Sequence, residues 1–89
     1  MRFDWHEAKR RSNLSRHGID FADFEPLFYG TTITVLDDRD DYGEIRFITL
    51  GVLHGIVLTV AHTETDEVIR IISARKATRS EVREYESEL

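Results

Sequence analysis

Hydrophobic and polar positions change their spacing about a third of the way along the chain. Before residue 30 apolar residues recur at helical spacing, three or four positions apart. From residue 32 to residue 74, β-branched residues dominate short runs that turn residues separate, which is typical of strands. A helical pattern returns after residue 77. This order of elements predicts an α+β domain.

The first third of the chain predicts a short extended segment over residues 3–5 and then two helices. Gly18 ends the first helix, which covers residues 6–17. Asp20 is placed to cap the second helix, and Pro26, about six positions further on, removes a backbone hydrogen bond. A short or kinked second helix is therefore expected. Its apolar side consists of Phe21, Phe24, Leu27 and Phe28.

Four strands are predicted between residues 32 and 74. They cover residues 32–36, 45–51, 56–62 and 68–74. The last three form an antiparallel meander because only short turns separate them. Thr78 and Glu81 have the spacing of a capping box that opens a C-terminal helix. The expected fold is an antiparallel sheet of about four strands, packed on one face by two N-terminal helices and one C-terminal helix.

Length and composition narrow the class of protein. The 89 residues suit one domain, so residues 1–89 are interpreted as a single unit. Charged residues and glycines interrupt every apolar run, which leaves no membrane span, and the N-terminus lacks the apolar segment of a signal peptide. The chain has no cysteine, which excludes disulfides and thiolate metal sites and suits a cytoplasmic protein.

The net charge of −5 argues against nucleic-acid binding, but its distribution weakens that argument. Residues 1–19 hold five basic and two acidic residues, whereas residues 20–44 hold one basic and eight acidic residues. Residues 70–89 again have an excess of basic residues. If the two ends of the chain meet in the fold, a basic surface can coexist with an acidic total.

The sequence predicts neither a metal site nor a cofactor. His54 and His62 lie roughly 26 Å apart if the chain between them is extended. The aspartate-rich run over residues 37–43 matches a calcium loop only in part, because Tyr42 and Thr49 occupy positions of acidic ligands. We interpret this run as a solvated turn. Glycine-rich phosphate loops, dinucleotide motifs and a Ser-His-Asp spacing are all missing.

Several basic residues are candidates for holding a phosphate. Arg70 interrupts an apolar strand, where an unpaired charge is costly, so it either pairs with an acid or faces a ligand. More basic residues follow in the sequence: Arg75, Lys76, Arg79 and Arg83. These either bind a phosphate or form ion pairs on a solvated helix. Lys9, Asn13 and His17 share one side of the first helix, where they either bind a ligand or cap and pack.

Short motifs occur in order along nearly the whole chain. The most specific is Arg-Ile-Ile-Ser-Ala-Arg-Lys-Ala at residues 70–77. The others are Phe3-Asp-Trp5, Lys9, Asn13, His17-Gly-Ile-Asp-Phe21, Gly43-Glu-x-Arg-Phe47, His62-Thr-Glu64, Glu81 and Tyr85. Together they resemble the BrnT family of bacterial toxins, with two departures from its pattern, at His6 and Pro26.

The resemblance implies a fold like that of the RelE ribonucleases and RNA cleavage that stops translation. It also implies a BrnA-like antitoxin with a ribbon-helix-helix DNA-binding part, through which alone the protein would reach DNA. The alternative is a catalytically weak or inactive interaction module that binds the antitoxin and contributes to repression of its own operon. Cleavage of RNA by the isolated protein separates the two.

RNA cleavage without a metal needs a base for the 2′-hydroxyl, cations for the phosphate and an acid for the leaving 5′-oxygen. We assign Arg70 and Arg75 to the phosphate, with Lys76 or Lys9 as a further cation that binds RNA. Regular strand alternation would put Arg70 and Arg75 on opposite faces, in which case Arg46 replaces one of them. The base and the acid are left open among Glu64, His17, His62 and Tyr85.

Overall fold

A five-stranded mixed sheet forms the centre of the computed structural model, which describes residues 1–89. The strands are β1 (Arg2–Trp5), β2 (Ile33–Asp37), β3 (Arg46–Leu53), β4 (Ile56–Glu64) and β5 (Val68–Lys76). The helices are α1 (Glu7–His17), α2 (Glu25–Tyr29) and α3 (Arg79–Ser87). Across the sheet the order is β1-β5-β4-β3-β2. None of the helices has the length and apolar character that a membrane crossing requires.

The prediction of an all-antiparallel sheet of about four strands is wrong, because β1 joins as a fifth strand. It pairs in parallel with β5, Phe3 opposite Ile69 and Trp5 opposite Ile71. Phe3 and Trp5 pack against the core, so this short segment gains burial as well as backbone hydrogen bonds. The pairing also places the N-terminal segment beside the last strand. The two ends of the chain, which have an excess of basic residues, are therefore neighbours in the fold, and this is the condition for a basic surface on an acidic chain.

The main core lies between the sheet and the N-terminal helices. It contains Ile19, Phe21, Phe24, Leu27, Leu53, Leu58, Val60, Ile69, Ile71 and Ala74. The Asp20 side chain accepts a hydrogen bond from the backbone N–H of Ala22 and starts a 3₁₀ turn, Phe21–Asp23. Pro26 lies in the first turn of α2, where no helical hydrogen bond needs its missing N–H. The predicted break in the helix is therefore found just before the proline, between the 3₁₀ turn and α2.

The expectation that all helices cover one face of the sheet is also wrong. α3 lies on the face opposite the main core, where the Tyr85 hydroxyl donates to the carbonyl oxygen of Thr31 at 2.8 Å. The capping box predicted at the start of α3 is confirmed. The Thr78 hydroxyl accepts from the Glu81 N–H, and the Glu81 carboxylate accepts from the Thr78 N–H.

Candidate functional site

A β-bulge at Ile72 decides the direction of the two arginines of β5. Arg70 lies opposite Thr63, and Arg75 lies opposite Thr59. Thr59 and Thr63 are four residues apart on β4 and therefore point to the same side. Because the pairing with β4 skips Ile72, six residues of β5 (70–75) match five of β4 (59–63). Arg70 and Arg75 consequently share one face, the one on which α3 lies.

We call this side of the sheet the open face, and its residues form three rows across the strands. The rows are Asp4, Arg70, Thr63, Arg46 and Asp37; then Ser73, Ala61, Ile48 and Val35; then Arg75, Thr59, Leu50 and Ile33. Along β4 neighbouring rows are about 7 Å apart. α3 covers the third row, where Thr59 and Leu50 are buried, whereas Ser73 and Val35 in the second row are exposed.

The guanidinium of Arg75 is held by the carboxylate of Glu81. Arg75 Nη1 donates to Oε1 at 2.7 Å and Nη2 donates to Oε2 at 3.0 Å. The Thr59 hydroxyl also donates to Glu81 Oε1, at 3.1 Å. Hydrogen bonding from Arg75 lowers the pKa of Glu81 to about 2, and the same contact raises the pKa of Arg75. The Arg75 side chain keeps 42% of its surface exposed, so it is oriented without being covered.

Arg70 and Arg46 flank Thr63 in the first row and are constrained to different degrees. Arg70 has a single contact with Asp4, 3.4 Å long, and both side chains are about half exposed. Arg46 is more buried and lies over the ring of Tyr42, 4.1 Å from the ring centre. Its Nε atom is buried without a hydrogen-bond partner. Arg70 is therefore freer to meet a ligand than Arg46.

His62 lies on the opposite side of the sheet from these arginines. Its Nε2 is 2.6 Å from the Thr49 hydroxyl, and its ring stacks on Phe47 and meets Phe28 edge-on. Burial lowers the pKa of His62 to about 4, so the imidazole is neutral at pH 7. Its second ring nitrogen, Nδ1, is buried without a partner. The structure thus places His62 in the protein interior.

Three other candidates from the sequence also lie away from the exposed centre of the open face. Glu64 is exposed at the end of β4 and points to the core side, opposite Ile69. Lys76 is exposed at the end of β5, also on the core side. Tyr85 belongs to α3, where it is buried and its hydroxyl donates the hydrogen bond to the Thr31 carbonyl.

A cleft separates α1 from the free edge of β5, and we call it the edge cleft. β1 pairs no further along β5 than Ile71, so the rest of this edge lacks a strand partner. Asn13 of α1 fills the gap, since its Oδ1 accepts from the Ala74 N–H at 3.0 Å and its Nδ2 donates to the Ile19 carbonyl at 3.2 Å. The cleft has a volume of about 380 Å³, and its lining includes Lys9, Ser12, Arg16, His17, Ile72 and Ser73.

The fold thus brings together two groups of the predicted site residues. Arg46, Arg70 and Arg75 lie on the open face, and Lys9 and His17 line the edge cleft. Ser73 borders both, because it belongs to the middle row of the open face and also lines the cleft. The two groups therefore lie next to each other on one continuous surface around the edge of β5.

Sequence reasoning missed three residues of this surface. Glu81 was interpreted only as a helix cap, although it also fixes Arg75. Arg16 follows Lys9 by two helical turns, and this spacing was a usable signal. Arg39 comes from an irregular loop and lines the groove of about 220 Å³ between α3 and the sheet together with Arg75. No pattern in the sequence marked it.

Nowhere in the structure do three or more His, Cys, Asp or Glu side chains converge in a way that could hold a metal ion. The acidic loop after β2 is organised by its own residues. Asp37 accepts two hydrogen bonds from the guanidinium of Arg39 and one from the Tyr42 hydroxyl. The Arg39 contact lowers the pKa of Asp37 to about 2.

Comparisons with known proteins agree on one family. A family model described as the ribonuclease toxin BrnT of type II toxin-antitoxin systems matches residues 5–81. Among solved structures, that of the Brucella abortus ribonuclease toxin BrnT is similar, with a TM-score of 0.64 and 29% identity. The similarity covers 89% of this chain and 99% of that chain. No curated protein sequence matches. The region matched by the family model includes every residue of the edge cleft and all the arginines of the open face.

Proposed function

Because the chain belongs to the BrnT family of ribonuclease toxins of type II toxin-antitoxin systems, we propose that its open face binds the scissile phosphate of the RNA. Arg70 and Arg75 hold this phosphate between them. Membership of this family makes the chain an endoribonuclease with an antitoxin as its partner. The observation that carries the proposal is the bulge at Ile72, which puts both guanidiniums on one exposed face. Arg46 lies in the same row of the open face as Arg70, and Arg39 lines the groove beside Arg75.

The reaction is metal-independent transfer within the RNA chain. A base takes the proton of a 2′-hydroxyl, the 2′-oxygen attacks the adjacent phosphorus, and the bond to the 5′-oxygen breaks as that oxygen gains a proton. The products are a 2′,3′-cyclic phosphate and a 5′-hydroxyl. The two arginines stabilise the negative charge that builds up on the phosphate, since a guanidinium matches phosphate oxygens and stays protonated.

His17 is our choice for the group that moves a proton. Among the four candidates it is the exposed imidazole, and it lines the edge cleft that meets the open face at Ser73. Glu64 is the second choice, because it is exposed but points to the other side of the sheet. We give His62 and Tyr85 structural roles, because His62 is buried and the Tyr85 hydroxyl donates to the Thr31 carbonyl.

Three finer points complete the proposal. Cleavage of RNA inhibits translation in the cytoplasm, with Lys9 and Arg46 as cations that contact RNA. Lys76 is exposed on the core side of β5 and contacts RNA only where the RNA passes around the end of that strand. A BrnA-like antitoxin neutralises the protein by covering the open face, and DNA is reached only through that antitoxin. The likeness to RelE ribonucleases stays a prediction from the sequence.

The test is an RNA cleavage assay with the purified protein in excess chelator, with the product ends identified by chemical and enzymatic end analysis. We expect cleavage to persist and to leave 2′,3′-cyclic phosphates, and an Arg75→Ala sample to be inactive. Complete loss of activity in chelator, restored by added magnesium, would overturn the metal-independent mechanism.

The alternative, a catalytically weak module that binds the antitoxin and aids repression, has one observation in its favour. Each phosphate-binding arginine already faces an acid, Arg75 facing Glu81 and Arg70 facing Asp4. If these pairs do not open, little positive charge remains for a substrate. Isolated protein that binds antitoxin but cleaves no RNA would establish this alternative.

A further inference from the structure

The edge cleft between α1 and β5 holds a concentration of unpaired positive charge. Its cations are Lys9 and Arg16, and no acidic residue lines it. Neither Lys9 nor Arg16 takes part in an ion pair. In a chain with a net charge of −5, the arginines of the open face all contact acids, so this cleft differs from its surroundings.

The position of Lys9 argues against a purely structural reason for these charges. Arg16 lies in the last turn of α1, where a cation interacts favourably with the helix dipole. Lys9 lies in the first turn, where the dipole disfavours a positive charge. Helix stabilisation therefore accounts for Arg16 and leaves Lys9 unexplained. A bound anion accounts for both.

The cleft is also continuous with the open face. Ser73 lies in the middle row between Arg70 and Arg75 and borders the cleft as well. Asn13 completes the exposed edge of β5 with its side-chain amide, so no further strand blocks the passage. A chain molecule that lies across the open face can continue over this edge into the cleft, and Ser12 and Ser73 add hydroxyl donors there.

We infer that the edge cleft is a second phosphate-binding site, in which Lys9 and Arg16 bind a backbone phosphate of the RNA other than the one that is cleaved. This inference rests on the proposed function for the identity of the ligand. It adds Arg16 as a substrate-binding residue and predicts that affinity depends on the length of the RNA, because a short substrate cannot occupy both sites.

The experiment measures binding of 2′-O-methyl RNA, which lacks the nucleophilic hydroxyl and stays intact during the measurement. Fluorescence anisotropy gives the dissociation constants of a ten-nucleotide and a two-nucleotide strand for Arg16→Ala, Lys9→Ala and the parent protein. Arg11→Ala is the matched control, because Arg11 belongs to the same helix, is exposed and does not line the cleft.

We expect Arg16→Ala and Lys9→Ala each to weaken binding of the long strand about fivefold. The slope of log affinity against log salt should fall by about 0.7, because each substitution removes one cation from the RNA backbone. The short strand should bind equally to all the proteins, and Arg16→Lys should keep most of the affinity. Unchanged melting temperatures would exclude misfolding as the cause.

The inference fails if Arg16→Ala and Lys9→Ala match Arg11→Ala on the long strand. It also fails if they weaken both strands equally, because the cleft would then hold the scissile phosphate itself. Cleavage of unmodified RNA by the parent protein is scored separately. A parent protein that binds RNA through Arg16 but never cleaves it overturns the proposed function and leaves the second phosphate site standing.

Discussion

Arg75 and Glu81 form a two-point ion pair that joins the end of β5 to the first turn of α3. Glu81 Oε1 accepts hydrogen bonds from three groups, the Arg75 guanidinium, the Thr59 hydroxyl and the Thr78 N–H. The carboxylate that caps the helix therefore also fixes the arginine. A side chain held in this way loses little further conformational freedom when it binds a phosphate, which favours its use in a reaction site.

Replacing Arg75 by alanine tests whether this residue serves chemistry or only stability. Its side chain is partly exposed, so we expect a loss of about 1 kcal/mol or less in the free energy of unfolding. Removing a guanidinium that binds the transition-state phosphate should reduce the cleavage rate by roughly 10²–10³. Arg75→Lys should recover part of the rate, since it keeps the charge without the planar fork. Urea unfolding and RNA cleavage measure the two effects.

The control is antitoxin binding, which Arg75→Ala should retain. An unfolded variant would identify Arg75 as a structural partner of Glu81. A folded variant that still arrests growth would transfer the phosphate role to Arg70 or Arg46.

His17→Gln should reduce cleavage by about 10²–10⁴-fold, because glutamine cannot transfer a proton at the 2′-hydroxyl or the 5′-oxygen. RNA cleavage by the purified variants measures the loss. His6→Gln is the control, because His6 is exposed at the other end of α1. An unchanged cleavage rate in His17→Gln would assign proton transfer to Glu64 or to another group.

His62 should make the protein less stable in mild acid. Its folded pKa of about 4 lies below the ordinary histidine value of 6.5, so the unfolded chain binds a proton first as the pH falls. The stability that His62 contributes is present above pH 6.5 and is lost between pH 6.5 and pH 4, by about 3 kcal/mol at most. Urea unfolding at several pH values in this window measures the loss.

His62→Gln keeps a partner for Thr49 but does not titrate, so its stability should depend less on pH over this range. The exposed histidine variant His6→Gln should follow the parent protein. Equal slopes for His62→Gln and the parent would mean that other groups dominate the acid response.

Asn13→Ala should destabilise the fold by about 1–3 kcal/mol, because it leaves the Ala74 N–H and the Ile19 carbonyl without their partners. Asn13→Asp keeps an acceptor for Ala74 but buries a carboxylate against the Ile19 carbonyl oxygen, so it should not restore the lost stability. Ser12→Ala, one position away and exposed, serves as the control for urea unfolding. A cost for Asn13→Ala no larger than that for Ser12→Ala would show that water replaces the amide.

Binding of the antitoxin should weaken as salt is added, because the proposed contact surface is the basic one formed by the open face and the edge cleft. The same complex should protect RNA from cleavage. Titration calorimetry at two salt concentrations and a cleavage assay with added antitoxin measure both effects. A complex that forms while cleavage continues unchanged would show that the antitoxin binds elsewhere.

Local chemistry in the sequence predicts much of the fold. The αL conformation of Gly18, the cap at Asp20 and the capping box of α3 all appear where residue types indicated them. The segment after Asp20 is broken, as Pro26 predicts, although the proline lies in the first turn of α2 and the break precedes it. Each of these depends on residues within a few positions of one another, which a single sequence displays.

The features that the sequence did not predict depend on distant residues. The parallel pairing of β1 with β5 joins the first five residues to the last strand. The side of the sheet on which α3 lies follows from the hydrogen bond between Tyr85 and Thr31, 54 positions apart. The bulge at Ile72 has no marker such as glycine, and without it the alternation rule puts Arg70 and Arg75 on opposite faces.

The bulge also means that β5 holds one residue more than its register with β4 requires. A chain that lacked Ile72 would run as a regular strand, with Arg70 and Arg75 four positions apart and still on the same face. The same deletion would remove a side chain from the wall of the edge cleft. Deletion or exchange of Ile72 would therefore reshape the wall of the edge cleft without turning either arginine, so the cleft and the open face can be altered separately.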